Sequence, residues 1–431
     1  MFGLSRYLRF TIMITIGVDD TDSEEGLCTT YLAAVMMERL KRLGEIRGLP
    51  KLVRLNPCVQ FKTRGNAAIA FSLETKRPIE AEEVALETLM ELSDFSGPKT
   101  NPGLVVTEKE VPAELSTFYR RALSEVLEVK EAEEIIEKYG LWSRSFKNGQ
   151  GLIGALAAIG AEFPDCTYEL LAYRRPERWG TPREIDEESV WMADELTYPR
   201  TWDTVDHQNR KVVFAPHSKD PVLFGIRGED PEPLRSALKT IRSEPPERIV
   251  IYRTNQGTDA HINRSEIDGV AEDRSYRLRG VVAKEAEAIE GGHLFFPLAS
   301  EDGKGAIDCA AFEPTKNFRD RVRALVPGDT IEVYGAVKKR TLNIEKMEVV
   351  RLVERKAQTA PLCPSCGRRM KSAGRGQGYR CRRCGTKAEG KVLAAIPREI
   401  EEGFYEVPPC ARRHLSKPLV RMRGGKVHPS R

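Results

Sequence analysis

Residues 11–30 read TIMITIGVDDTDSEEGLCTT, and this stretch decides the fold of the first half of the chain. Ile12, Ile14, Ile16 and Val18 fall on alternate positions, so they share one face of a β-strand. The strand runs straight into Asp19, Asp20 and Asp22. A polar loop with Gly26 follows, and then an apolar-periodic helix is expected from about Thr29 to Leu43. Strand, acidic turn and helix in that order open an α/β or α+β core. Three carboxylates at the C-terminal edge of a sheet repel one another unless a cation joins them, which suits a hard metal carrying nucleotide phosphates. The other reading is an acidic turn that caps the helix. At the helix start, Thr29 and Thr30 sit where free N–H groups and the positive dipole end favour a phosphate, either bound or attached to a hydroxyl. Plain N-capping is the alternative there.

Outward from this stretch the alternation continues. Strands are expected at Ala67–Leu73, Gly103–Thr107 and Tyr168–Tyr173, and helices at Ile79–Leu92, Ala113–Leu127 and Ala132–Tyr139. Gly149-x-Gly151-x-x-Gly154 has the spacing of a dinucleotide fingerprint. The stretch before it, Ser143–Asn148, is polar rather than strand-like, which leaves a glycine turn able to cradle phosphate at a helix start. Lys62, Arg64 and Asn66 lie just before a strand and could face the same anion, or could be solvated surface groups. Residues 174–210 are polar and irregular, with Trp179, Trp191 and Trp202 scattered among them, and read as a long ordered loop. Within it, Asp203 and Asp206 are acidic groups that could meet a cationic substrate. Val222–Ile226, Pro233–Arg242 and Ile249–Arg253 form a strand–helix–strand unit. Five short strands between 276 and 352, with one helix (Thr315–Ala324) between the third and fourth, give the OB-fold pattern.

A chain of 431 residues is too long for one core, so several domains are expected. Lys and Arg number 68 against 64 Asp and Glu, a net charge of +4 that becomes informative only when mapped along the chain. Residues 363–385 hold seven Lys/Arg and no acid, and so do residues 411–431. A basic end beside an OB-fold is the signature of a polyanion partner. The longest apolar run, Leu152–Ala161, is too short to span a bilayer. Arg6 and Arg9 precede the apolar residues Phe10–Val18, but that run ends in Asp19 with no cleavage site, so a cytoplasmic protein is expected. Cys363-x-x-Cys366 and Cys381-x-x-Cys384 make two knuckles that close a tetrahedral zinc site, with Gly367 and Gly385 allowing the turns behind them. Four protein ligands leave no open position, so this zinc is structural. Cys410 and His414 could form a further ligand pair but are surplus to a complete site.

The strings GVDDTDSEEGLCTTYLA, RLNPCVQFKTRGNAA, GLIGALAAIGAEF, YRRPERWGT, VLFGIRGE, EGGHLFF, AAFEPTKNFR and CPSCGRRMKSAGRGQGYRC resemble the archaeal agmatine-dependent tRNA cytidine synthetases, the TiaS family. The resemblance runs from about Met13 almost to the end, which suggests that Met13 is the natural start or that residues 1–12 are dispensable. It implies a multidomain α+β protein. A kinase-like α/β catalytic domain would span 13–195 (with 62–130 open to assignment to the next part) and a ferredoxin-like domain 196–270. An OB-fold would span 271–355, and a zinc ribbon with a basic tail 360–431. It also implies ATP and Mg²⁺ as cofactors, Zn²⁺ in the ribbon, and agmatine as a substrate. The other substrate would be the isoleucine tRNA with a CAU anticodon, whose wobble cytidine receives agmatine at C2 after phosphoryl activation. Carried over, the family's autophosphorylated threonine falls on Thr29 and its metal-binding aspartates within Asp19, Asp20 and Asp22. Agmatine is dicationic, which makes Asp203 and Asp206 the carboxylates to consider. Two other classes stay open: an aspartate-nucleophile phosphatase, suggested by Asp20-Thr21-Asp22 after a strand, and a non-catalytic RNA-binding protein.

Overall fold

The first half is one mixed nine-stranded sheet. The computed structural model describes residues 11–23, 26–60, 65–108 and 110–431. In chain order the elements are β1 (Ile12–Asp19), α1 (Thr29–Leu40), β2 (Gly44–Arg54), β3 (Ala67–Thr75), α2 (Pro78–Leu92), β4 (Gly103–Thr107), α3 (Ala113–Ser124), α4 (Val129–Tyr139), β5 (Trp142–Ser145), α5 (Gly151–Ile159), β6 (Thr167–Tyr173), α6 (Glu187–Thr197), β7 (Thr201–Trp202), β8 (Val205–Asp206), β9 (Lys211–Val212), β10 (Val222–Gly228), α7 (Pro231–Thr240) and β11 (Arg248–Thr254). The sheet order is β5-β4-β1-β3-β2-β11-β6-β10-β7. Its two halves join where β2 and β11 pair in parallel, Arg253 with Lys51 and Thr254 with Leu52. The sheet therefore runs through the domain boundary expected at 195/196, because β6 on one side pairs with β10 and β11 on the other.

The alternation that identified β1 survives in its burial: Ile14, Ile16 and Val18 are fully buried beneath α1 and α2. The opposite face packs on α5, which is apolar all round and buried against the sheet and α3. Small residues permit that contact. A Cβ on Gly17 would overlap the carbonyl of Ala155, and one on Gly160 would overlap that of Leu115. The long loop expected at 174–210 is only partly a loop, because α6 lies inside it. Asp186 caps that helix by accepting from Ser189 N, and Val190, Ala193 and Thr197 face the core. Exposed Met192 and Leu196 blur the helical period in the sequence.

Strands β12 (Ile262–Arg264), β13 (Ser275–Val282), β14 (Glu287–Ala288), β15 (Leu294–Ala299), β16 (Ala306–Ala311), β17 (Thr330–Lys338) and β18 (Thr341–Arg351) follow. β13 pairs with β15 and β17, β15 with β16, β17 with β18, and β16 with β18 in parallel. These five strands close a barrel, with α8 (Phe318–Arg323) between the third and fourth as the spacing requires. A two-stranded ribbon, Arg355–Thr359 with Val392–Ile396, leads out to the cysteine module and back.

The chain then returns to the body of the protein, where several of the basic residues of 411–431 meet acids. Gly403–Glu406 adds a strand to β18. Arg412 is buried between Asp203 and Glu406. Lys417 and Arg421 hold Asp165, and Arg421 also reaches Glu229. Arg431 pairs with Asp194 and Glu195 at 2.9 and 3.0 Å and lies over the ring of Tyr198. Asp165, Asp194, Asp203 and Glu229, which supply much of the missing negative charge, lie about 200 positions or more earlier in the chain.

Candidate active site

Asp19 closes β1, paired in register with Gly103. Asp20 turns the chain with φ of 56°, and its carboxylate accepts from the backbone N (3.2 Å) and the side-chain Nδ2 (3.1 Å) of Asn101. Burial, then the neighbouring charges of Asp20 and Asp22, hold the Asp19 carboxyl well above its ordinary range. Burial also pushes Asp20 up to about 7, with the Asn101 amide opposing it and Asp22 reinforcing it. Carboxylates crowded at this cost form a donor set of hard oxygens that a divalent cation would satisfy.

The glycine motif serves this cluster by packing. A Cβ on Gly154 would overlap the Asp19 carboxylate, and one on Gly151 would overlap the N of Gly103 and crowd the carbonyls of Asn101 and Asp19. Gly149, at φ of 79°, turns the chain into α5. Helix α5 can therefore lie directly against the end of β1. Of the three glycines only Gly154 faces the cavity; Gly149 and Gly151 are covered by backbone and neighbouring side chains.

Thr29 is buried at the start of α1, but the N-cap is Cys28. The Thr29 hydroxyl instead accepts from the hydroxyl (3.1 Å) and backbone N (3.3 Å) of Thr21, in the acidic loop. Thr29, the three aspartates, Asn66 and Asp203 all line one cavity of about 820 Å³. Asn66 donates from Nδ2 to the carbonyl of Asn56, which fixes the turn before β3. Lys62 and Arg64 lie outside the described residues. Asp206 does not reach the cavity: it is fully buried and accepts from Asn209 and from the backbone N of Cys410.

The cavity also holds residues that motif reading missed. Glu169 on β6, only 3% exposed, accepts from Arg227 Nε (3.1 Å) and from Gln256 Nε2, and lies 4.0 Å from Arg54. Burial lowers Arg54 to about 10, with Glu169 opposing the shift and Arg227 adding to it. Arg227 also faces Asp203 at 3.7 Å, and Asp203 in turn holds Arg412. Arg54 and Arg227 thus line the same cavity as Asp19, Asp20 and Asp22. Each lies in an ordinary strand sequence; only charges at inward positions of a strand could have flagged them. Cys410 and His414, considered as metal ligands, line this cavity instead.

Cys363, Cys366, Cys381 and Cys384 do converge. Their sulfurs lie within 4.8 Å of one another, with Cys363–Cys384 at 3.3 Å and Cys366–Cys381 at 3.4 Å. A tetrahedron of Zn–S bonds of ~2.3 Å has edges of ~3.8 Å, so these two pairs need only open by a few tenths of an ångström to surround a zinc ion. Gly367 and Gly385 adopt φ of 68° and 77°, the left-handed turns expected behind each pair.

Sequence models of three TiaS domains match the chain: the TCKD domain over residues 15–148, the FLD domain over 149–261 and the C-terminal zinc ribbon over 360–400. The tRNA 2-agmatinylcytidine synthetase TiaS of Methanosarcina acetivorans, named for an isoleucine tRNA, is 52% identical over 428 residues, covering 96% of this chain and all of its own. The chain belongs to the TiaS family. Among solved members, apo TiaS superposes with a TM-score of 0.89 at 49% identity, over 96% of this chain and 98% of its own. The complex of TiaS with its isoleucine tRNA, AMPCPP and agmatine gives 0.86 at 45% identity, over 97% of this chain and all of its own. The TiaS ribbon model spans all four clustered cysteines, and the boundary between the TCKD and FLD models falls at Gly149, just before α5. No described helix is long and apolar enough to cross a membrane.

Proposed function

We propose that this chain joins agmatine to C2 of the wobble cytidine of an isoleucine tRNA with a CAU anticodon, consuming ATP. The observation that carries the reading is the single cavity in which Asp19, Asp20, Asp22 and Thr29 share walls with Arg54 and Arg227. The C2 carbonyl of cytosine is a poor electrophile, and an amine can replace its oxygen only if that oxygen leaves as something better than hydroxide. Transfer of a phosphoryl group to the oxygen achieves this: the C2 oxygen bonds to phosphorus as the nucleotide leaves. The agmatine amine then bonds to C2, loses a proton, and inorganic phosphate departs with the oxygen.

Asp19, Asp20 and Asp22 would hold Mg²⁺, which supplies charge neutralisation for the nucleotide phosphates. Arg54 and Arg227 would face the negative charge of the transferring group, in a site where burial makes each charge count for more. The buried Thr29 hydroxyl, on the aspartate side of the cavity, is the group we propose to be autophosphorylated. Asn66, Gly149, Gly151 and Gly154 shape the nucleotide side, Gly154 by bringing the start of α5 against Asp19. Asp203 is the carboxylate we assign to agmatine; Asp206 would act behind it, through the turn that carries Cys410.

The kinase-like part is then β1–β5 with α1–α4, and the ferredoxin-like part is β6, β10 and β11 with α6 and α7. The cysteine module would hold Zn²⁺ and, with the OB-type barrel, tRNA. ATP consumption that requires both agmatine and the isoleucine tRNA, with agmatine recovered on the tRNA, tests the reading. ATP hydrolysis indifferent to both would overturn it.

A further inference from the structure

We infer that His414, from the segment that returns after the zinc ribbon, is a positioning residue for Arg227; this rests on the reaction proposed above. Three groups address the Arg227 guanidinium. Glu169 accepts from Nε at 3.1 Å, His414 Nδ1 lies 2.7 Å from Nη2, and Asp203 lies 3.7 Å from Nη1. The first two are hydrogen bonds that fix the plane of the fork. Asp203 is an ion pair only, so among the described residues Nη1 has no hydrogen-bond acceptor. The donor pair on Nη1 is therefore available to an anion in the cavity that Arg227 lines.

The tautomer follows from the partners. A guanidinium can only donate, so the ring nitrogen it meets must accept, which places the ring proton of His414 on Nε2. Gln256 Oε1, which can only accept, also lies 3.1 Å from Nδ1 and by itself would call for a proton there, with its Nε2 committed to Glu169; the shorter contact, 2.7 Å to Arg227, decides for the acceptor. Nε2 faces Gly65, where a Cβ would lie 3.5 Å from it and closer still to Arg54. His414 itself is held by backbone as well as by side chain: its carbonyl accepts from Gly257 N at 2.8 Å. The consequence is that a guanidinium on β10 takes its orientation from a residue beyond the barrel and the ribbon. The end of the chain therefore completes the catalytic wall.

A misplacement of about 1 Å in such a group can cost on the order of a hundredfold in rate. His414→Phe keeps the ring and removes the acceptor; His414→Asn returns an acceptor near the position of Nδ1. The full-length protein, ATP, agmatine and the isoleucine tRNA are used throughout. The expected result is a fall in kcat of tenfold to a hundredfold for His414→Phe with KM for tRNA within about twofold, and substantial recovery in His414→Asn. In an Arg227→Ala background, His414→Phe should add less than about twofold, because its target is gone. Unchanged kcat in His414→Phe, or fully additive losses in the double variant, would overturn the inference while leaving the reaction intact. A wild-type protein that never modifies tRNA would instead overturn the reaction. The inference then stands or falls on ¹⁵N NMR of histidine-labelled protein: an unprotonated Nδ1 in wild type, lost in Arg227→Ala, supports it, and a protonated Nδ1 in wild type refutes it.

Discussion

Replacing Arg412 with Met keeps the length of the side chain and removes its charge. Arg412 is 2% exposed at its side chain, between Glu406 at 2% and Asp203 at 6%. Its loss strips Glu406 of its cation and leaves Asp203 only the 3.7 Å contact with Arg227, so two buried carboxylates repel each other with less positive charge beside them. Removing one partner of a buried ion pair costs about 3–5 kcal/mol, a third or more of the stability of a typical domain. The deficit should depend on pH. Burial already raises the Glu406 carboxyl, with Arg412 as the main opposing influence. A carboxyl raised in the folded state contributes stability that is present below its unfolded pKa and lost as pH rises through its folded pKa. Without Arg412 that loss grows. The variant should therefore be least stable, relative to wild type, at neutral pH and should recover towards it as the pH falls through the carboxylate range. Urea denaturation followed by fluorescence between pH 5 and 8 reads this directly. Replacing Arg412 by Met and Glu406 by Gln together should restore part of the loss at pH 7.5. An Arg412→Met protein as stable as wild type at pH 7.5 would refute the docked C-terminal segment.

Cys381→Ser should release zinc, measured by metal analysis, and unfold the ribbon while nucleotide binding by the N-terminal half persists. Asp20→Asn should abolish Mg²⁺-dependent ATP turnover with tRNA affinity near wild type in a filter-binding assay, since an amide is a poor ligand for a hard cation. Gly154→Ala should cost about 1–3 kcal/mol in denaturation and lose activity as well, because the added methyl strikes the Asp19 carboxylate. Thr29→Val should cost about 1–3 kcal/mol, because it strips the buried Thr21 donors of their acceptor, yet stay folded and incorporate no phosphate from labelled ATP when the protein is mapped by mass spectrometry.

The parts of the fold that depend on short-range pattern were legible in the sequence. The alternation in β1, the five barrel strands and the spacing of Cys363, Cys366, Cys381 and Cys384 all express contacts within a few residues or a repeated period. Strand β2 was not legible, because its exposed half carries Glu45, Arg47 and Gly48 where an alternating apolar face would be sought. Nor was β5, whose Trp-Ser-Arg-Ser sits at the sheet edge. In the site, the aspartates were visible because they are adjacent in the chain. Arg54, Glu169 and Arg227 were not, and His414 stood out only as a metal-ligand candidate, since the four arrive from β2, β6, β10 and the C-terminal segment and meet only in the folded chain. The same distance hid the ion pairs of the C-terminal arginines.

The most direct test of the account is mass spectrometry of the isoleucine tRNA after incubation with the purified protein, ATP and isotopically labelled agmatine. The account predicts the label on the wobble cytidine, with the C2 oxygen recovered in inorganic phosphate when that oxygen is ¹⁸O. Labelled agmatine absent from the tRNA, or attached while the ¹⁸O stays on the base, would contradict it.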